Sequence, residues 1–123
     1  ILEGTALRQA ESIALKDENK SVTFAQYVTE AKRIGSFLNK QVNDNYSRPI
    51  IVMVDRSVEP LIAFMGVLYS GNFYVPVDNR TPIERLKSIV LVLNPLAVIG
   101  FTKSEESIFC LIDNQLPFYF FEK

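Results

Sequence analysis

Two carboxylates stand where this chain could do chemistry. Asp55 closes the apolar run Pro49 to Val54, and Asp78 closes the β-prone run Phe73 to Val77. Each therefore falls at the carboxyl end of a predicted strand, the edge where open parallel sheets place ligands. They serve there either as ligand contacts or as loop carboxylates paired with a neighbour such as Arg56 or Arg80. Cys110 is the single thiol, but Ile108, Phe109, Leu111 and Ile112 surround it in sequence, and apolar company disfavours a thiolate nucleophile. The run Phe118-Tyr119-Phe120-Phe121 has the surface of a stacking platform without basic neighbours, so it reads as a strand covered by protein. Phosphate chemistry asks for a glycine-rich loop ending in Lys. Gly4, Gly35, Gly66, Gly71 and Gly100 are scattered, and none opens such a loop. With no histidine present, a histidine triad, a histidine metal site and imidazole proton transfer are excluded within these residues.

The elements that must position these groups follow from periodicity. Ile1 to Glu11 carries Leu2, Ala6, Leu7 and Ala10 at a loose helical spacing. Ser12 to Lys16 and Ser21 to Phe24 are β-prone runs joined by the polar turn Asp17-Glu18-Asn19-Lys20, which predicts a hairpin. Thr23 and Gln26 form a capping box for a helix to about Lys40, with Phe24, Tyr27, Val28, Ala31, Ile34 and Leu38 on its buried face. Gln41 to Arg48 is a polar loop. Pro49 to Val54 then shows no alternation, the pattern of a strand covered on both faces. Ser57 is placed to cap the next helix, with Glu59 near its positive end and Pro60 in its first turn. The apolar residues Leu61, Ile62, Phe64, Met65, Val67 and Leu68 cover nearly every azimuth of that helix, which predicts that it is largely enclosed. Gly71 supplies the left-handed residue that ends it, and Pro76 predicts that strand pairing fades after Val75.

Thr81-Pro82-Ile83-Glu84 repeats the helix-start signal, and Leu86, Ile89, Val90 and Leu93 form a stripe that stops at Asn94-Pro95. Leu96 to Phe101 reads as a buried strand and Pro117 to Phe121 as a last short one, while Ser104 to Asn114 carries no decisive pattern. Strands and helices in alternation predict βαβ units in a Rossmann-like parallel sheet, with the N-terminal helix and hairpin appended.

The 123 residues suit one domain, 48% of them hydrophobic and 22% charged. A net charge of −1 leaves no footprint for nucleic acid or an anionic membrane. Apolar runs such as Leu61 to Tyr69 fall far short of the ~20 residues a bilayer span needs, and no stretch has the signal-peptide pattern. One cysteine excludes an internal disulfide and fits a reducing cytoplasm. The chain opens on Ile1 rather than Met, as expected of a fragment.

Leu68, Gly71, Tyr74, Val75, Pro76 and Asp78, with Val77 as a conservative variant, resemble the second core motif of adenylate-forming enzymes, L-[KR]-A-G-x-A-Y-V-P-[IL]-D. Tyr69, Ser70 and Phe73 depart from it. Val22 to Tyr27 is similar to the first core motif, L-[TS]-Y-x-E-L, with Thr23 identical, and Pro82, Arg85 and Leu86 resemble the P-x-x-R-L continuation, although Asn79 stands where Pro is frequent. The wording is nearest to amino-acid adenylation domains of non-ribosomal peptide synthesis and to D-alanine–carrier-protein ligase. Asp78 favours an amino acid over a fatty acid as the carboxylate.

The resemblance implies the N-terminal portion, 1–123, of the AMP-binding large lobe, without the C-terminal lobe. It implies a parent ligase that uses ATP and Mg²⁺, joins AMP to a carboxylate, releases pyrophosphate, and passes the product to a carrier-protein or CoA thiol. The phosphate-binding third motif, the later nucleotide and magnesium motifs and the catalytic lysine have no counterpart here. No catalytic, cofactor-binding or metal-binding residue is therefore carried over, and the chain alone is expected to bind none of these cofactors and to be inactive. Cut from the remainder of its domain, it is expected to self-associate. The rival readings are a stand-alone flavodoxin-like nucleotide binder and a non-catalytic interaction module.

Overall fold

Six consecutive residues without a polar side chain cannot lie at a water-facing surface, and the chain is built around that constraint. In the computed structural model, which describes residues 13–17, 21–42 and 46–121, strand β3 (Pro49–Val54) has its first five residues buried. It lies between β4 (Phe73–Asp78) and β5 (Ala97–Gly100), and β6 (Phe118–Phe120) flanks β5, giving the order β4-β3-β5-β6. Every pairing in this sheet is parallel, with Ile51 opposite both Val75 and Val98. A separate antiparallel hairpin joins β1 (Ile13–Lys16) to β2 (Ser21–Thr23).

Among the described residues four helices cover the sheet: α1 (Phe24–Val42), α2 (Glu59–Tyr69), α3 (Ile83–Leu93) and α4 (Lys103–Ile112). Because successive side chains of a strand point to opposite faces, β3 feeds two cores. Ile50 and Val52 join Ala97, Ile99, Ala31, Leu38, Ala63 and Val67 beneath α1 and α2. Ile51 and Met53 join Val77, Val98, Leu86 and Phe109 beneath α3 and α4. Full burial of each aliphatic side chain contributes about 1.5–3 kcal/mol, so the central strand is the main cohesive element. The chain turns from β3 outward to β4, then back across to β5. Right-handed crossovers require the helix layer to change face at that reversal.

Local chemistry explains most boundaries. The Thr23 and Gln26 box is present in both directions, Gln26 N–H donating to Thr23 Oγ1 at 3.2 Å and Thr23 N–H to Gln26 Oε1 at 2.9 Å. Helix α1 runs two residues past the expected Lys40. It crosses α2 so closely that a Cβ on Gly66 would lie 2.5 Å from Ile34 Cγ2, and one on Gly35 2.7 Å from Tyr69 Cβ. Gly71 has φ +83° as expected, and its carbonyl accepts from Ser47 N–H at 2.8 Å.

Several expectations are corrected. Pairing does not fade at Pro76, since β4 stays in register with β3 through Asp78. Phe73 and Asn79 donate inward to the carbonyls of Arg48 and Val54, so odd-numbered residues carry the ladder and the nitrogen of Pro76 points away from it. Helix α2 is only partly enclosed: Leu61 and Leu68 are 42% and 47% exposed, although Tyr74 stacks on Phe64 at 4.2 Å. Thr81 builds no capping box, because Pro82 takes the N-cap position with no side-chain bond. Cys110 is exposed on the outer side of α4 rather than sheltered among its apolar neighbours.

Residues 104–114, indecisive in sequence, are mostly the helix α4, started by a capping box of Thr102 and Glu105. The aromatic run is β6 and the residue after it, with Tyr119 and Phe121 against one core and Phe118 against the other. The helix expected over Ile1 to Glu11 lies outside the described residues.

Candidate functional site

The reversal of strand order puts a switch point between β3 and β5, and the crevice at their carboxyl ends is where a ligand of an open α/β sheet belongs. Its floor is Asp55-Ser57-Val58 on one side and Phe101-Thr102 on the other. A bound phosphate here would need the free amide groups that start α2 and α4. At each start the chain's own carboxylates engage some of the amides. Val58 N–H donates to Asp17 Oδ2 at 2.8 Å, across 41 residues of sequence. Phe101 and Thr102 N–H both donate to Glu105 Oε1, at 2.8 and 3.0 Å, and Glu105 N–H donates to Thr102 Oγ1 at 3.2 Å.

Ser57 therefore does not cap α2 as its position suggests. Its N–H donates to Asp55 Oδ1 at 2.8 Å and its hydroxyl donates to the same oxygen. Val58 takes the N-cap position without a side-chain bond of its own. Asp17, in the hairpin turn, does the work instead. It was legible in sequence only as a turn residue, because no local pattern ties it to a helix 41 residues away.

The two flagged aspartates lie at the carboxyl ends of neighbouring strands, Asp78 in register with Val54 and Asp55 one residue beyond it. Asp55 accepts from Ser57 in the turn after β3, and Asp78 pairs with Arg80. Arg80 holds Asp78 through its backbone N–H at 2.8 Å, Nε at 3.1 Å and Nη2 at 2.9 Å. These hydrogen bonds lower the Asp78 carboxyl to about 2. Both side chains are solvent-exposed, so the pair shapes a turn and lends little stability. Phe118 to Phe121 lies at the far side of the sheet and Cys110 on the outer surface of α4, so neither joins the aspartates.

Beside the crevice, a groove of about 770 Å³ runs along α1 between Val22, Ile34, Phe37, Ile62, Phe101 and Phe121. Its walls are mainly apolar, with Glu30 and Arg33 at one side paired at 3.1 Å. Among the described residues no three His, Cys, Asp or Glu side chains gather as a metal site would require.

A doubly wound parallel lobe is the class of protein these features define. Comparison with known proteins gives the family. The model of the AMP-binding enzymes matches residues 2–115, and the chain belongs to that family. The nonribosomal peptide synthetase apmB of Penicillium brevicompactum is 29% identical over 118 residues, 94% of this chain and 5% of its own length. A D-alanine--D-alanyl carrier protein ligase of Listeria monocytogenes is 36% identical over 74 residues, 60% of this chain and 14% of its own.

Among solved structures, VinN in complex with L-aspartate superposes with a TM-score of 0.88 at 18% identity, over 97% of this chain and 30% of VinN. The likeness shows the fold. The chain thus spans a small part of the length of the curated relatives it matches.

Proposed function

We propose that these residues are the N-terminal scaffold of an ATP-dependent ligase that adenylates an amino acid and delivers it to a carrier-protein thiol. Three lines support the reading: family membership, the carrier-protein ligase and peptide synthetases among the relatives, and the Asp78 ending of the second motif. The observation that carries the scaffold role is the capture of switch-point amides by the chain's own carboxylates. With the Val58 amide held by Asp17, and the Phe101 and Thr102 amides by Glu105, these three donors are not open to a triphosphate. ATP and Mg²⁺ belong to residues beyond this lobe. What this lobe supplies is a stiff sheet against which the rest of the adenylation domain forms the substrate pocket.

In this reading 1–123 is one unit of the AMP-binding large lobe, cytoplasmic in setting, with CoA as the alternative acceptor thiol. Among the described residues no helix is long and apolar enough to cross a membrane. Isolated from its domain, the chain exposes apolar surface at Leu61, Leu68, Leu91, Val92 and Leu111 and self-associates.

Amino-acid-dependent exchange of radiolabelled pyrophosphate into ATP tests the proposal. The expected result is no exchange by 1–123 with any amino acid, and exchange by a longer polypeptide from the same reading frame. Exchange by 1–123 itself, or micromolar binding of ATP or FMN to it by calorimetry, would overturn the scaffold reading.

A further inference from the structure

The layer formed by α3 and α4 is charged at one end and apolar at the other. Both helices run from the carboxyl to the amino ends of parallel strands, so they lie side by side in the same direction over one core. Each closes on five apolar residues, Ile89 to Leu93 in α3 and Ile108 to Ile112 in α4. At 3.6 residues per turn, five residues pass right round a helix, so they cannot all face the sheet. Ile89, Val90, Leu93, Ile108, Phe109 and Ile112 do. Leu91, Val92 and Leu111 are left outside, 83%, 86% and 77% exposed, with Cys110 exposed beside them. An apolar patch rimmed by charge on an otherwise solvated layer marks a contact surface.

The charges beside the patch say what it meets. Along α3 an outward stripe reads Glu84, Lys87, Leu91, and along α4 one reads Lys103, Glu106, Cys110, both at i, i+3, i+7. The spacing is the same and the signs are reversed. All six residues are exposed, and among the described residues no ion pair joins the two helices, Lys87 meeting only Glu84 of its own helix at 3.5 Å. We propose that this face pairs with the same face of a second copy of the chain, about a twofold axis parallel to the helices. α3 then lies over the partner's α4 in register. The apolar ends coincide, Lys87 faces the partner's Glu106, and Glu84 faces the partner's Lys103. Symmetry repeats both ion pairs, as an isologous contact requires. A twofold axis across the helices would instead stack α3 on the partner's α3 and carry Glu84 and Lys87 away from their opposite charges. Complementary charges of this kind fix orientation and register more than they add affinity. Two helix faces also supply fewer than the roughly 20–30 residues a side of a standard interface, so the dimer is weak and reversible. The proposal deepens the self-association stated above and rests on it, whereas the ligase reading is independent of it, because the groove along α1 lies on the other side of the sheet.

The test is a charge swap read by sedimentation equilibrium of 1–123 over a wide range of concentration. Lys87→Glu and Glu106→Lys each set like charges against one another at two symmetry-related contacts and are expected to weaken the dimer about 10-fold. Carrying both changes restores opposite signs across the interface and recovers the dissociation constant to within about 3-fold. These positions are exposed, so each variant keeps native circular dichroism. Leu61→Lys, on α2, leaves the constant unchanged. Leu91→Cys, which stands opposite the partner's Cys110, gives a covalent dimer in oxidised glutathione, and the wild-type chain does not.

A monomer at every concentration would overturn both this pairing and the self-association beneath it. A dimer that Leu61→Lys dissolves and Lys87→Glu leaves intact would overturn the pairing and keep the self-association. A double variant no tighter than either single one would also sink the proposal, since the contact would then be indifferent to register. Pyrophosphate exchange by the longer polypeptide is read separately, so its absence beside an intact swap pattern removes the ligase reading and leaves the dimer standing.

Discussion

Replacing Asp17 by Ala tests the central structural claim, that helix α2 is capped by a residue 41 positions upstream rather than by adjacent Ser57. Val58 is 1% exposed, so without the carboxylate its amide finds neither a protein partner nor ready access to water. An orphaned buried donor costs about 1–3 kcal/mol, and loss of a helix N-cap falls in the same range. With a urea m-value of about 1–3 kcal/mol/M for a domain of this size, the unfolding midpoint drops by about 1 M at constant m. Asp17→Asn keeps an acceptor oxygen in place and recovers about half of the loss, since neutral acceptors are weaker than charged ones. Ser57→Ala removes only the hydroxyl bond to Asp55, leaves the Ser57 amide on the same carboxylate, and costs about 0.5 kcal/mol. Urea unfolding followed by tyrosine fluorescence and far-UV circular dichroism measures all three. A Ser57→Ala loss equal to or larger than that of Asp17→Ala would refute the reasoning, because the cap would then be local after all.

Three further outcomes are expected. Gly66→Ala drives a methyl to within 2.5 Å of Ile34 Cγ2 at the α1–α2 crossing, an overpacking that costs about 1–3 kcal/mol and lowers Tm by about 5–10 °C in a calorimetric scan. Asp78, lowered from 3.8 to about 2 by its hydrogen bonds to Arg80, contributes stability that is fully present above pH 3.8 and is lost as pH falls through about 2. Carboxyl-carbon NMR titration should show that midpoint and its return toward 3.8 in Arg80→Ala. Cys110 should react with a thiol reagent in the native protein, one equivalent per chain, and a requirement for denaturant would contradict its exposed placement.

Much of the fold was legible because it is governed by short-range rules. The unalternating run at Pro49 to Val54 demanded cover on both faces, and the spacing in Phe24 to Leu38 demanded one buried helix face. Gly71 was the residue able to take φ +83°. Helix α4 was missed although Thr102 and Glu105 carry its start signal, because the apolar residues that follow do not stand clear of their polar neighbours. The aspartates were correctly placed at the carboxyl edge, but their partners came from turn geometry that residue type alone leaves open.

The sequence by itself determined the alternation of strands and helices, the family wording from Leu68 to Asp78 and the lack of a phosphate loop, since each depends on neighbours within a few residues. Tertiary structure decided which strands are edges, which amide Asp17 reaches, and that Pro76 costs the sheet nothing. Those outcomes depend on where distant segments meet and on which way a backbone N–H turns, and residue order carries neither until the chain has folded.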